Sequence, residues 1–201
     1  MGSTMRFWKN AANRNGIGNH FPALALIAAL LLATGIALGD DGIAVEYASS
    51  GRDDSSLLLD ARFRFRFDDE IYEALQHGVE LHITVNVQIR RERKWLWDAV
   101  IADQSLEFVL HHHPLTDDFA VTDGQTGVRR QFPDVQEALT YLGTIHGRPI
   151  LPLQELDPEA RYSGRIKARL NIENLPAPLQ PVAYVSRKWR IESQWYRWEV
   201  R

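Results

Sequence analysis

From Leu59 to Phe67 the odd positions are Leu59, Ala61, Phe63, Phe65 and Phe67, and Asp60, Arg62, Arg64 and Arg66 stand between them. From Val79 to Ile89 the odd positions are all apolar, and the even ones are Glu80, His82, Thr84, Asn86 and Gln88. Residues 161–173 repeat the pattern. Tyr162, Gly164, Ile166, Ala168, Leu170 and Ile172 alternate with Arg165, Lys167, Arg169 and other polar residues. A period of two predicts strands with one face in a core and one in water. Between the first two runs the period changes. Asp68 and Asp69 suit a helix start, Ile71 and Leu75 form an apolar stripe, and Gly78 supplies the stop, which predicts a helix over 69–76.

Weaker patterns fill in the rest. Residues 42–48 predict a first strand and the polar stretch 49–56 a loop. After a basic knot (Arg90, Arg91, Arg93 and Lys94 around Glu92), Trp95, Trp97, Ala99 and Ile101 share one face of a further strand. Asp103-Gln104 reads as a hairpin turn, and Leu106, Phe108 and Leu110 resume the alternation up to His111. Residues 115–121 predict a short strand, 123–127 a turn and 134–142 a helix with Val135, Ala138, Leu139 and Leu142 inward. The prolines make 145–156 an extended connector and 174–181 a crossing loop. The last strand begins with Trp189; Trp189, Ile191 and then Trp195 point inward, yet Trp198 and Val200 do so by the end. A β-bulge near 193–196 accounts for that switch of phase. The expected architecture is a mainly β, antiparallel β-sandwich, immunoglobulin-like, of about eight strands with two short helices.

The first 39 residues differ from everything after them. They contain Arg6, Lys9 and Arg14 and no acid, and residues 21–38 are an uncharged run with a small-residue cleavage pattern at Ala37-Leu38-Gly39. This is a signal peptide or an N-terminal membrane anchor. The length of the run fits either, and both send residues 40–201, a single domain, across the membrane to the periplasmic side. The remaining 20 of the 23 basic residues share that body with all 26 acidic ones. A net acidic body disfavours nucleic acid as a partner. With no cysteine, disulfides, thiol nucleophiles and Cys-ligated zinc are excluded.

Enzyme motifs are missing: no Gly-x-Ser-x-Gly elbow, no HExxH, no phosphate-cradling loop and no dinucleotide fingerprint, and no cofactor is implied. A carboxylate pair for glycoside hydrolysis has no sequence spacing and stays open. His111 and His113, at i and i+2 on a strand, are the candidate metal ligands; a site needs at least a third ligand, and His77, His82 and His146 stand apart in the sequence. His112 points inward. The partner-binding candidates are Arg62, Arg64 and Arg66 with Arg165, Lys167 and Arg169. On neighbouring strands they would make one basic stripe for an envelope protein or an anionic envelope component. The ordinary alternative is a solvated strand face whose cations pair across strands.

Taken in order, LDARFRFRFDDEIYEAL, GVELHITVNVQI, RKWLWD, HPLTDDFAV, FPDVQEALTYLG and LPAPLQPVAYVSRKWRIESQWYRW resemble a bacterial domain-of-unknown-function family, DUF 4390. The resemblance covers nearly everything after the apolar run. It implies an exported or membrane-anchored envelope protein of unassigned activity, and it carries over no catalytic or binding residue. The triple histidine departs from the family pattern, which needs only His113 before Pro114-Leu115-Thr116. The expected function is a binding or accessory module of the envelope, with protein interaction or signalling as its task; an envelope hydrolase or a structural component is the alternative.

Overall fold

The computed structural model describes residues 42–93 and 97–200. The candidate signal or anchor segment and Trp95 lie outside the described residues. Among the described residues nine strands, all paired antiparallel, form two sheets. The smaller contains β1 (Gly42–Arg52), β2 (Ser56–Arg66) and β7 (Thr144–Pro152), in the order β1-β2-β7. In the larger, the order is β6-β5-β4-β3-β8-β9, from β3 (Leu81–Arg91), β4 (Ala99–His113), β5 (Asp118–Asp123), β6 (Arg129–Phe132), β8 (Tyr162–Leu170) and β9 (Tyr196–Val200). The odd residues of β2 and β3 and the even residues of β8 meet in one core, with Leu57, Leu59, Ile83, Val85, Val87, Ile89 and Ile166 buried. Three helices among the described residues flank the sheets: α1 (Asp69–Gln76), α2 (Val135–Leu142) and α3 (Gln180–Val185). Among the described residues no helix is long and apolar enough to cross a membrane.

The clean alternations fold as their period requires, and the two predicted helices form where acids cap them. Asp68 accepts from the Glu70 N–H, and Asp134 accepts from the N–H groups of Gln136 and Glu137. Gly78 adopts a φ of 83°, which turns the chain from α1 into β3.

Four expectations change. Residues 49–52 extend β1, because a backbone ladder onto 57–60 outweighs their polar composition. Asp103 and Gln104 lie inside β4, each paired with β3; the two strands are paired out to Arg91 opposite Ala99, and Trp97, ahead of β4, is 92% exposed rather than sharing a strand face. The connector 145–156 contains β7, an edge strand that tolerates Pro149 and Pro152 because its outer side needs no ladder donor. The crossing loop gives way to a third helix, α3, with Pro181 in its first turn.

Side chains lock the two sheets together along both margins. At one, Trp198 of β9 lies over Gly164 of β8, and its indole N–H donates to Ser50 Oγ of β1 at 3.2 Å. At the other, Arg148 of β7 donates to Asp123 of β5 at 2.7 Å, and Gln104 of β4 donates to the Ile150 carbonyl at 2.6 Å. Burial alone would raise the Asp123 carboxyl. Hydrogen bonds from Arg148 and from the backbone N–H groups of Thr126 and Gln125 outweigh it, and hold the carboxyl below its ordinary 3.8.

Asp123→Ala is expected to lower stability by about 2 kcal/mol at neutral pH, because it leaves Arg148 half-buried without its counter-charge. A depressed carboxyl contributes stability above its unfolded pKa and loses it as the pH falls through the folded one. The deficit of the variant should therefore shrink in acid, as denaturant unfolding at neutral and acid pH would show. A deficit that does not change with pH would assign the loss to packing alone.

Candidate functional site

The two arginine rows lie on different sheets. Arg62, Arg64 and Arg66 point outward from β2 in the three-stranded sheet, and Arg165, Lys167 and Arg169 point outward from β8 in the six-stranded one. Their strands share a core, so the rows face away from each other and form no single stripe. Alternation specifies which face a side chain takes but not which sheet its strand joins.

On the β2 row each cation is exposed. Arg62 lies over the Tyr47 ring at 5.8 Å, and Arg64 Nε is 4.0 Å from Glu46. Arg62 and Arg64 rim a shallow groove of about 400 Å³ between β2 and α2, with Gln136 and Thr140 opposite. Exposed pairs of this kind contribute little.

The β8 row is more tightly built. Arg165 stands directly opposite Arg197 of β9, and both like charges face outward. Its Nε donates to Gln88 Oε1 at 2.8 Å, and Gln88 in turn donates to Asp103 at 2.9 Å. Burial first, then the charges of Arg90 and Arg197, lowers the Arg165 pKa, with Asp103 acting against them. Over this group lies Trp195, 36% exposed, with the Arg165 guanidinium 4.4 Å from its ring centre and Lys167 Nζ at 5.5 Å. Lys167 also pairs with Glu192 at 2.7 Å.

The predicted bulge is what brings Trp195 here. Glu192 bridges to Arg169 and Tyr196 pairs with Ile166, so Ser193, Gln194 and Trp195 lie opposite only Lys167 and Ala168. Inward residues are odd up to Ser193 and even from Tyr196, which buries Trp189 and Trp198 but leaves Trp195 outside, contrary to its expected inward direction; the last strand, β9, also begins only at Tyr196, with Trp189 in a turn before it. The aromatic C-terminus is thus mostly core, with one tryptophan on the surface. Sequence reading missed Arg90 and Arg197 as members of this group. The available signal was the i, i+2 spacing of Trp195 and Arg197 after the phase switch.

The histidines divide by face as their alternation predicts. His112 is buried; its Nδ1 lies 3.0 Å from the Gln76 carbonyl oxygen and its Nε2 3.0 Å from Asp117 Oδ1, tying β4 to α1 and to the following turn. His111 and His113 face outward with ring centres 4.4 Å apart. His82 joins them, contrary to its isolation in the sequence: Glu80 lies 3.7 Å from both His82 Nε2 and His111 Nδ1. Burial, followed by the charge of His113, lowers the His111 pKa below its ordinary value. Arg129 contacts His113, placing a cation beside this group. Among the described residues no set of three or more His, Cys, Asp or Glu is arranged to hold a metal ion.

Fold and surface together define a mainly β domain of two antiparallel sheets whose outer faces carry organised charge. The chain belongs to the family described as domain of unknown function DUF4390, whose model matches residues 40–199. No curated protein and no solved structure matches it.

Proposed function

We propose that this domain is a binding module of the bacterial envelope, working without a cofactor. Its recognition surface is the outer face of the six-stranded sheet around Arg165, Arg197, Arg90 and Trp195, and its partner is an acidic segment of another envelope protein. The observation that carries this reading is the directly opposed Arg165–Arg197 pair. Like charges facing each other across strands destabilise a sheet. An arrangement that costs stability, beside a half-exposed tryptophan, is what a surface kept for an anionic ligand requires. Arg and Trp are also the residues that dominate interface energetics, and carboxylates fit the guanidinium fork. The β2 row supports a weaker claim, since its cations are exposed, make only loose contacts and are spread along one strand.

The test uses one pair of substitutions with opposed effects. Arg197→Gln is expected to leave stability unchanged or raise it by a few tenths of a kcal/mol, since it removes a cross-strand repulsion. Arg165→Glu with Arg197→Glu is expected to abolish salt-sensitive capture of an acidic protein from envelope extract. Equal capture by the folded double variant would overturn the assignment of this face, and a marked loss of stability in Arg197→Gln would show the pair to be structural.

A further inference from the structure

We propose that the end of the domain carrying α3 rests on an anionic lipid surface. A surface helix normally buries its apolar side chains. Here α3 buries only Ala183, while Val182, Tyr184 and Val185 are 52%, 52% and 82% exposed. A contiguous exposed apolar patch marks a contact surface, and three side chains of this kind in one turn are such a patch. Cations flank it. Arg187 and Arg190 are exposed just beyond the helix, and no acid occurs between Glu173 and Glu192. A groove of about 310 Å³ beside Tyr184 is lined by Arg169 and Arg190 as well as by Glu173 and Glu192; Glu192 is already paired with Lys167.

The knuckle is firmly held from behind. Trp189 is buried and donates to Glu70 at 2.8 Å, and Lys188 donates to Asp68 at 3.0 Å. Lys188 and Trp189 are therefore structural, and Arg187, Arg190 and the apolar tip are what remains for a partner. An apolar tip inside a cationic rim suits the boundary between lipid head groups and acyl chains.

The position at which β1 begins favours a membrane over a protein. Gly42 pairs with Arg66, two residues before Asp68, so β1 begins at the end of the domain where Lys188 and α3 are fastened. In the sequence only Gly39, Asp40 and Asp41 separate Gly42 from the uncharged run that ends at Leu38. If that run is embedded in a bilayer, this end of the domain is the one within reach. This inference rests on the envelope placement proposed above, but it uses a different surface from the Arg165–Arg197 face.

The chain has no cysteine, so a single Val185→Cys substitution at an exposed site accepts an environment-sensitive fluorophore uniquely. The full chain would be mixed with phosphatidylcholine vesicles, with and without phosphatidylglycerol, and compared with a label at Thr126→Cys on the β5–β6 turn. The expected result is a blue shift and about threefold protection from aqueous iodide at position 185 on anionic vesicles only. Position 126 should not respond, and added salt should reduce the effect. Arg187→Glu with Arg190→Glu should abolish it; if that variant fails to fold, the salt titration on the folded parent decides. Equal quenching at 185 with and without vesicles would overturn the proposal, and so would protection that appears only on adding an envelope protein. Arg165→Glu with Arg197→Glu should keep the vesicle response, so the two surfaces can fail separately.

Discussion

Replacing Trp198 with alanine is expected to cost the domain about 3–5 kcal/mol, the range for emptying a large aromatic site in a core. Trp198 is 9% exposed at the margin where the sheets meet, and its ring covers Gly164 and donates to Ser50 in the other sheet. Its loss opens a void, exposes the backbone around Gly164 and removes a link from β9 to β1. For a domain of this size that corresponds to a fall of roughly 10 °C in Tm, measurable by calorimetry. A second substitution isolates the contact. A Cβ at position 164 would lie 2.2 Å from the indole carbons, so Gly164→Ala alone should be strongly destabilising. In the Trp198→Ala background it should be close to neutral. Additive losses would mean that the glycine is needed for another reason.

The second large effect is expected at Gly143, the residue that closes α2. Its φ of −77° is open to any residue, so Gly→Ala would ordinarily stabilise by reducing the freedom of the unfolded chain. Here an added Cβ would stand 2.4 Å from the carbonyl oxygen of Phe63 and 3.1 Å from that of Leu139. The Phe63 N–H donates to the Gly143 carbonyl at 2.7 Å, so helix and strand cannot part without losing that bond. Backbone against backbone has no rotamer to relax into. Gly143→Ala should therefore cost about 3 kcal/mol, the upper part of the range for overpacking. Gly51 has open space around it and no positive φ, and Gly51→Ala should be tolerated in the same denaturant titration.

The fold was legible in the sequence wherever burial has a period. Residues 57–67, 81–91 and 162–170 alternate because each strand has one dry face, and Asp68 and Asp134 announce helices because free N–H groups at a helix start need acceptors. Residues 49–52 and β7 were missed for one shared reason. Their places are held by backbone ladders to β2, which leave almost no mark on side-chain polarity, and proline at an edge resembles proline in a loop. Asp103 and Gln104 misled in the other direction: a polar pair inside a long strand that faces water at that point looks like a turn.

The candidate site was legible residue by residue but not as an assembly. The outward direction of Arg165 follows from alternation alone. Its apposition to Arg197 depends on the register between two strands separated by twenty-five residues, offset further by one inserted residue. The same limit explains the division of the two arginine rows between opposite faces, and the meeting of His82 with His111 around Glu80. Side-chain direction is a local property, whereas adjacency in a sheet is not.

The extra residue opposite Lys167 and Ala168 has a consequence for how this terminus tolerates change. Because it resets the phase, the stretch before it and the stretch after it answer to different constraints: Trp189 and Trp198 to volume, Trp195 and Arg197 to charge and exposure. Substitutions on one side of the kink can drift without disturbing the other. A deletion of one residue within 193–195 would undo that independence at a stroke. One alternation would then run through the whole terminus, with two residues opposite Lys167 and Ala168, Trp198 still inward and Arg197 still outward.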